Sequence, residues 1–336
     1  MRAYRIHEAG GPDSLRAEEL PEPRPGPGQV AVRVRAASLN YRDLLVIKGA
    51  YSRNLPLPMV PLSDGAGEVA EVGPGVTRFR PGDRVAGCFF SDWADGPLTE
   101  AATRSALGGA VGGMLAETVV LPEAGVVRVP DHLSDEEAAT LPCAALTAWH
   151  ALMEGGGLVA GQTVLVQGTG GVSLFALQFA RMAGARVIAT SSRDDKLARA
   201  RDLGASDGIN YKTTADWDVA ARNLTEGIGV DHVVEVGGAG TLPRSIKAVR
   251  LGGHIALIGV LTGGEIDPRP LLMRNIRLQG IYVGSRLMFE NMNQAIALHK
   301  LRPVVDRVFP FDQAPEAYGH LESGSHFGKV VIKCGG

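Results

Sequence analysis

A glycine-rich stretch carries the clearest chemical signal in this sequence. Residues 168–173 read GTGGVS and separate the apolar run TVLVQ from the helical pattern SLFALQFARMAG. Gly168 permits a tight turn, Gly170 lets the backbone approach a pyrophosphate at the start of the helix, and Ser173 is small enough for close helix–strand packing. Because strand and helix patterns flank the loop, we expect it to bind a dinucleotide rather than to be a plain turn.

The end of the next apolar run indicates which dinucleotide is bound. A protein selective for NAD places Asp or Glu about 20 residues after the loop. This sequence has Ser191 near that position, followed by Ser192, Arg193 and Lys196. Hydroxyls and cations suit a 2′-phosphate, which a carboxylate would repel. The acidic pair at 194–195 fits the first turn of a helix. The pattern favours NADP(H), with a solvated helix start of mixed charge as the alternative.

The sequence pattern around these residues changes along the chain and indicates two kinds of domain. Residues 1–125 contain short alternating runs such as GQVAVRVRAA, separated by Pro-Gly and Gly-Asp turns, which predicts a barrel-like β domain. Near Pro130 the texture changes, and Ser134 with Glu137 forms a capping box. Apolar strands then alternate with helical stretches, so we expect βαβ units and a parallel, doubly wound sheet. A helical stretch from residue 286 leads to the strand-like GKVVIK.

Composition excludes several classes of protein. A chain of 336 residues is long enough for two domains, and its net charge of −2 offers no footprint for nucleic acid or an anionic membrane. Three distant cysteines suggest neither a disulfide framework nor a clustered metal site. The sequence lacks an apolar run of the roughly 18 residues that a membrane span needs. Since MRAYRIHEAGG has no apolar signal core, we expect a cytoplasmic protein.

Several ordered motifs resemble one superfamily over essentially the whole chain. The β domain followed by GTGGVSLFALQFA, LGASDGINY, DHVVEVGG and SGSHFGKVVI resembles the medium-chain dehydrogenases/reductases, most closely the zinc-independent, quinone-oxidoreductase-like members. The resemblance implies an α/β protein with a GroES-like β-barrel catalytic domain, formed by residues 1–125 and 286–336. It further implies a Rossmann domain at 126–285 and a homodimer.

The resemblance also makes the metal-ligand positions informative. Zinc-dependent members use a cysteine, the histidine of a Gly-His-Glu triplet and a second cysteine, whereas this sequence has Asn40, Ser63 and Cys143 there. A single cysteine is a poor start for a catalytic zinc site, which normally has three protein ligands. The four-cysteine lobe of structural zinc is missing too, because Cys88 stands alone in that region. We therefore expect no metal.

Candidate catalytic residues follow from the same resemblance. Asn40, Asp43 and Tyr51 match polar positions that line the cleft in quinone-oxidoreductase relatives, and a phenol could donate a proton or hydrogen bond to a developing oxyanion. Ser63 and Asp64 occupy the vacated metal shell and could form a proton relay. Structural roles remain open: Asn40 and Asp43 could cap a helix, and Tyr51 could be a packed loop residue.

The cofactor site predicted in this way combines the glycine loop, the phosphate region and positions implied by the resemblance. The loop residues are Gly168, Thr169, Gly170, Gly171 and Val172, and the residues expected at the 2′-phosphate are Ser191, Ser192, Arg193 and Lys196. The implied positions are Thr147, Tyr211, Gly237, Gly238, Gly259, Val260, Leu261, Gly328 and Lys329. Each of the implied positions could instead be a turn or packing residue.

Together these features predict an NADP(H)-dependent, zinc-independent oxidoreductase that transfers hydride to a small-molecule carbonyl, enone or quinone. Without a metal, conjugated substrates are easier to reduce because the added charge is delocalised. Three alternatives stay open: an enzyme acting on simple alcohols or aldehydes, an alcohol dehydrogenase that keeps a metal through unrecognised ligands, and a non-catalytic NADPH-binding redox sensor.

Overall fold

The structure, a computed structural model, describes residues 1–52 and 54–335. The chain divides into a first unit, Met1–Leu146 with Gly284–Gly336, and a second unit, Thr147–Val283. In the described residues, no helix is both long and apolar enough to span a membrane.

The strands are β1 (Arg2–Ile6), β2 (Leu15–Glu19), β3 (Gln29–Leu39), β4 (Asp64–Val72), β5 (Arg84–Gly87), β6 (Thr118–Pro122), β7 (Val126–Arg128), β8 (Thr163–Gln167), β9 (Arg186–Ser191), β10 (Asp207–Asn210), β11 (Val230–Glu235), β12 (Val249–Leu257), β13 (Arg277–Gly280), β14 (Val305–Pro310) and β15 (Lys329–Lys333).

The α-helices are α1 (Tyr41–Ile47), α2 (Glu100–Thr103), α3 (Asp135–Ala138), α4 (Leu146–Trp149), α5 (Gly171–Met182), α6 (Asp194–Asp202), α7 (Trp217–Asn223), α8 (Leu242–Ala248), α9 (Arg269–Met273), α10 (Arg286–His299) and α11 (Ala314–Glu322). Short 3-10 segments lie at Pro12–Ser14, Glu123–Gly125 and Phe311–Gln313, and π-helical segments at Leu141–Ala145 and His150–Glu154.

The first unit is organised around the long strand β3. The sheet runs β14-β15-β3-β4-β5-β7, and β6 also pairs with β3. Val30, Val32 and Val34 are buried while Arg33 is exposed, so the alternation predicted from the sequence places an apolar face in the core. The C-terminal tail belongs here because β15 pairs antiparallel with β3.

The second unit is a six-stranded parallel sheet in the order β10-β9-β8-β11-β12-β13. This is the doubly wound order in which the chain leaves the centre of the sheet in one direction and then returns to extend it in the other. Ligands of such sheets bind outside the carboxyl ends of the strands, where the order reverses. Here the reversal lies between β8 and β11. The predicted fold class is confirmed.

The first unit continues further along the chain than the predicted boundary at 125/126. Strand β7 pairs with β5, and α3 packs against β3 and β4, so the segment up to Leu146 is held by the first unit. The predicted capping box is present at the start of α3, where Ser134 and Glu137 exchange hydrogen bonds. At the second boundary the units divide at 283/284, beside the predicted 285/286.

Candidate functional site

The glycine loop at 168–173 leaves β8 and enters α5 through an open backbone. Gly168 has a φ of +71°, which L side chains rarely adopt, and Gly170 is the N-cap of α5. A Cβ built at either residue would meet no atom within 4 Å. The first turn of a helix carries backbone N–H groups without intrahelical partners and the positive end of the helix dipole. The open backbone thus fits a pyrophosphate.

Ser173 explains why the third fingerprint position need not be glycine. Its side chain is buried, and Oγ donates a hydrogen bond of 2.5 Å to the carbonyl oxygen of Gln167, the last residue of β8. The small hydroxyl therefore ties the helix start to the strand end at close range. Within the same loop Thr169 is buried, whereas Gly171 and Val172 are half-buried.

The residues predicted at the 2′-phosphate meet around the end of β9. Buried Ser191 accepts a hydrogen bond at Oγ from the Arg193 N–H (3.3 Å), and its carbonyl accepts one from the Tyr211 N–H (3.0 Å). The guanidinium of Arg193 is exposed and bonds Asp195 at 2.9 and 2.7 Å. A phosphate would compete with that carboxylate. Ser192 is half-buried beside them, and Lys196 is buried in the first turn of α6.

Other glycines in the predicted cofactor set are required by backbone packing. A Cβ on Gly259 would stand 1.7 Å from the Val236 carbonyl oxygen, and one on Gly237 would stand 2.3 Å from Thr241 Oγ1. Gly238 has a φ of +90°. These contacts explain glycine at the three positions whether or not a cofactor binds. Of the remaining positions, Val260 and Leu261 are exposed, and Thr147 is buried in α4.

Lys329, the first residue of β15, lies in the first unit among polar side chains. Its Nζ donates hydrogen bonds to the carbonyl oxygen of Leu39 (2.6 Å) and to Asn40 Oδ1 (2.5 Å). The preceding Gly328 has a φ of +95°, and a Cβ there would stand 2.3 Å from the Val304 carbonyl oxygen. Strand pairing brings the Lys329 ammonium to Asn40, and its assignment to the cofactor stays a prediction.

Five of the first unit's side chains form what we call the polar cluster: Asn40, Asp43, Ser63, Asp64 and Lys329. Asn40 is the N-cap of α1, and its N–H donates to Asp43 Oδ2 at 2.8 Å in a capping box. The capping role that the sequence left open for these two residues is present. The box uses the Asp43 carboxylate and the side-chain oxygen of Asn40, and the same oxygen also accepts from Lys329 Nζ.

The amide of Asn40 begins a hydrogen-bonded chain. Since an ammonium only donates, Lys329 requires the amide oxygen to face it and so directs Nδ2 toward Ser63 Oγ, at 3.4 Å. Ser63 Oγ donates to Asp64 Oδ1 at 2.7 Å. Asp64 Oδ2 accepts from the Cys143 N–H at 3.1 Å and lies 3.9 Å from Lys329 Nζ. Four predicted residues thus form one hydrogen-bonded chain that begins at the Lys329 ammonium and ends at the Asp64 carboxyl group.

Burial is the main influence on the pKa values of the two carboxyl groups in the polar cluster. It raises the pKa of Asp64 to about 6, against the opposing effects of Lys329 and of the hydrogen bonds from Asn40 and Ser63. Burial also raises the pKa of Asp43, although the adjacent Arg42 guanidinium opposes it. The Asp64 carboxyl group can therefore gain or lose a proton close to neutral pH.

Comparisons with known proteins identify the family. Residues 26–131 match the alcohol dehydrogenase GroES-like domain, and residues 171–299 match the zinc-binding dehydrogenase domain. The chain is 48% identical to a zinc-type alcohol dehydrogenase-like protein of Schizosaccharomyces pombe, over 98% of both chains. The chain is a medium-chain dehydrogenase/reductase.

Two solved structures of this superfamily are similar to the whole chain. A structure titled NAD-dependent alcohol dehydrogenase is 40% identical, with a TM-score of 0.92 and all of both chains covered. A mycobacterial protein solved in complex with NADPH is 29% identical, with a TM-score of 0.83 and 99% of both chains covered. Members of the superfamily are oxidoreductases that use a nicotinamide cofactor. The resemblance seen in the sequence motifs is confirmed.

The zinc in these family names does not fit the donors of this chain. Cysteine binds zinc as a thiolate. Cys143 is the one zinc-type donor at the three ligand positions, and burial together with the charge of Asp64 raises the pKa of its thiol in the metal-free protein. The other two ligand positions are the amide Asn40 and the hydroxyl Ser63, which already bond each other. Within residues 1–52 and 54–335, no group of three or more His, Cys, Asp or Glu could hold a metal ion.

Arg42 is a member of the site that the sequence analysis missed. Its guanidinium lies over the rings of Tyr51 (4.7 Å) and Phe89 (5.0 Å), and Nη1 donates to Asp43 Oδ1 at 3.0 Å. Nη1 also donates to the carbonyl oxygens of Leu107 and Gly108. Half-buried Tyr51 therefore reaches the polar cluster through Arg42 and Asp43. The adjacent Arg-Asp pair in NYRDLL was the available signal.

Proposed function

We propose that this medium-chain dehydrogenase/reductase is an NADP(H)-dependent oxidoreductase that reduces a conjugated carbonyl compound, such as an enone, or a quinone, and works without zinc. The observation that carries the proposal is the buried chain Lys329–Asn40–Ser63–Asp64, which holds hydrogen-bond donors and a carboxyl group with a pKa of about 6 where zinc-dependent relatives keep their ligands.

The second unit would hold the cofactor through its backbone. The glycine loop and the first turn of α5 suit the pyrophosphate, and the end of β9 with its neighbours Ser191, Ser192, Arg193, Lys196 and Tyr211 suits the adenosine phosphate. The cofactor, when bound, supplies the hydride. Because the 40%-identical structure is titled NAD-dependent and the 29%-identical one holds NADPH, relatives support both forms. Our choice of NADP(H) rests on the serines and cations in place of a strand-end carboxylate.

The polar cluster would supply the proton and stabilise negative charge. When protonated, Asp64 can donate to Ser63 Oγ, which then passes its own proton to the substrate oxygen. The carboxylate that remains is 3.9 Å from the Lys329 ammonium. Lys329 keeps the Asn40 amide oriented, so that an N–H of Nδ2 is available to the substrate oxygen as charge develops there. Tyr51, held by Arg42, is the second candidate donor.

This donor set favours conjugated substrates. Hydride addition to a simple ketone concentrates charge on one oxygen, which a metal would stabilise as a Lewis acid. Hydrogen bonds from an amide and a hydroxyl stabilise less charge, and an enolate or a phenolate distributes the charge over several atoms. We therefore place quinones and α,β-unsaturated carbonyls ahead of saturated aldehydes, and simple alcohols as the second class to test.

We also propose a homodimer that acts in the cytoplasm. Strand β13 is an edge of the six-stranded sheet, and Leu272 and Met273, just before it, are 82% and 80% exposed. An exposed strand edge with large apolar side chains favours pairing with a second copy. Cys88, Cys143 and Cys334 are free thiols, as is usual in a reducing compartment.

The test is oxidation of NADPH and NADH by purified protein with a panel of quinones, enones and saturated aldehydes, with and without a chelator. We expect NADPH to be oxidised with conjugated acceptors and the rate to survive chelation. Tight NADPH binding with no turnover would favour the redox sensor instead. Oxidation of unconjugated alcohols that is lost on chelation and restored by zinc would contradict the proposal.

A further inference from the structure

Glu235, the last residue of β11, is a fully buried carboxylate surrounded by donors. Its Oε1 accepts hydrogen bonds from the N–H groups of Gly237 (2.8 Å) and Gly238 (3.1 Å) and from Thr241 Oγ1 (2.5 Å). These three donors belong to the loop between β11 and α8. One oxygen therefore determines the path of the chain as it leaves the sheet.

The other carboxylate oxygen reaches the strand that carries the glycine loop. Oε2 accepts from Gln167 Nε2 (2.8 Å) and from the hydroxyl of Ser245 in α8. Gln167 is the last residue of β8, and its Oε1 accepts from the Val236 N–H at 3.2 Å. Its backbone carbonyl accepts from Ser173 Oγ. Glu235 is thus linked through one residue to both ends of the glycine loop.

A third loop is attached to the same network. Thr262, after β12, donates to the Gly237 carbonyl oxygen from its N–H (3.1 Å) and from Oγ1 (3.0 Å), and Oγ1 accepts from the Gly240 N–H at 2.7 Å. The loops that follow β8, β11 and β12 are therefore connected at the carboxyl edge of the sheet, with Glu235 where they meet.

A buried carboxylate costs stability unless donors replace its water, and five donors, all of them neutral groups, do so here. An apolar side chain would fill the same volume without that cost, but it could not hold two backbone N–H groups and two strands in one arrangement. The carboxylate therefore fixes the positions of the loops rather than adding net stability.

We propose that Glu235 is a positioning residue that sets the glycine loop at 168–173 relative to the loops at 237–241 and 259–262, and through them the affinity for the dinucleotide. The inference rests on the proposed function for the identity of the ligand. The coupling between the loops, however, is a property of the protein alone and can be measured without it.

The experiment compares Glu235→Gln with Asp231→Asn. Asp231 is the matched control because its carboxylate lies near the other end of the same strand. It accepts hydrogen bonds from the Thr163 N–H (2.8 Å) and Arg250 Nε (2.6 Å), and neither donor belongs to the three loops. Amide hydrogen exchange is measured on the cofactor-free proteins, and NADPH affinity and turnover at saturation are measured separately.

We expect Glu235→Gln to speed exchange at both 168–174 and 236–241 and to weaken NADPH binding at least about tenfold. Saturated turnover should stay within about twofold, as for a group that does not touch the reacting atoms. Asp231→Asn should change none of the three. Equal effects of the two variants, or unchanged exchange at 168–174 in Glu235→Gln, would overturn the proposal.

A milder variant keeps the test decisive if Glu235→Gln does not fold. Thr241→Val removes one donor to Oε1 and should cause smaller increases in exchange at the same two segments. An exchange rate at the glycine loop of Thr241→Val equal to that of the wild type would contradict the role of Glu235. If the wild-type protein binds neither NADPH nor NADH, the proposed function fails, and the exchange data still decide whether Glu235 couples the loops.

Discussion

The two units present different kinds of candidate site. In the second unit the glycine loop presents backbone N–H groups to a ligand, and the buried Glu235 accepts five hydrogen bonds. In the first unit the polar cluster is made of side chains, and the buried Asp64 accepts from Ser63, Asn40 and the Cys143 N–H, with Lys329 nearby. A carboxylate saturated with donors is suited to holding chain segments in place. One with fewer donors and a pKa of about 6 is suited to exchanging a proton.

Substitution of Gly170 tests most directly whether the glycine loop binds the cofactor through its backbone. Gly170→Val should abolish NADPH binding in a protein that still folds, because the new side chain enters the open space beside the backbone. Gly259→Ala is the contrasting variant, since its Cβ would stand 1.7 Å from a carbonyl oxygen and should lower the melting temperature. Calorimetry and cofactor fluorescence separate the two effects. Normal NADPH binding by folded Gly170→Val would exclude this loop as the phosphate site.

At the polar cluster, Asp64→Asn should lower turnover about 100-fold, the usual scale for losing a proton donor. In the wild type, turnover in the direction of reduction should fall as pH rises through about 6, because Asp64 then loses the proton that it donates. The variant should lack this inflection. Ser63→Ala serves as the companion variant, since it interrupts the relay and keeps the carboxyl group. A wild-type inflection that persists in Asp64→Asn would assign the titration to another group.

The same carboxyl group should affect stability in a pH-dependent way. Its folded pKa of about 6 lies above the ordinary value of 3.8, so its favourable contribution is present at low pH and is lost as pH rises through 6. Relative to Asp64→Asn, the wild type should lose roughly 2 kcal/mol of unfolding free energy between pH 4 and pH 7. Denaturant unfolding at several pH values measures this difference. A difference that does not change with pH would contradict the assignment.

At the adenosine phosphate, Arg193→Ala and Lys196→Ala should each weaken NADPH binding about tenfold and leave NADH nearly unchanged, since only NADPH carries the 2′-phosphate. Arg193 already bonds Asp195, so Asp195→Ala should strengthen NADPH binding by freeing the guanidinium. Titration of each variant with both cofactors tests this. Equal losses for the two cofactors would show that the phosphate is held elsewhere.

The smallest expected effect is at Tyr51. Tyr51→Phe should lower kcat a few-fold, by up to about tenfold, and change the Michaelis constant less, as for a donor that acts mainly in the transition state. The ring that contacts Arg42 is retained in this variant, so the cluster should stay assembled. Steady-state kinetics with a quinone measures the two constants. A change confined to the Michaelis constant would assign Tyr51 to substrate binding.

Local features of both units could be predicted from neighbouring residues in the sequence. Alternating valines predicted β3, Ser134 and Glu137 predicted the start of α3, and the setting of the GTGGVS stretch predicted a turn between strand and helix. Each of these depends on neighbours a few residues apart, through backbone geometry and burial with a short period. The family resemblance rested on the same ordered local motifs, and it selected Asn40, Ser63 and Asp64 as members of one site.

Contacts between side chains that are distant in the sequence depend on the tertiary structure. The antiparallel register that pairs Val330 with Leu39 sets Lys329 beside Asn40, a contact that no local pattern could indicate. The parallel pairing of β8 with β11 likewise brings Gln167 to Glu235. Burial then raises the pKa of Asp64, because desolvation depends on everything packed around the carboxyl group. The chemistry of both sites therefore depends on strand register and enclosure, and these arise from contacts across the whole fold.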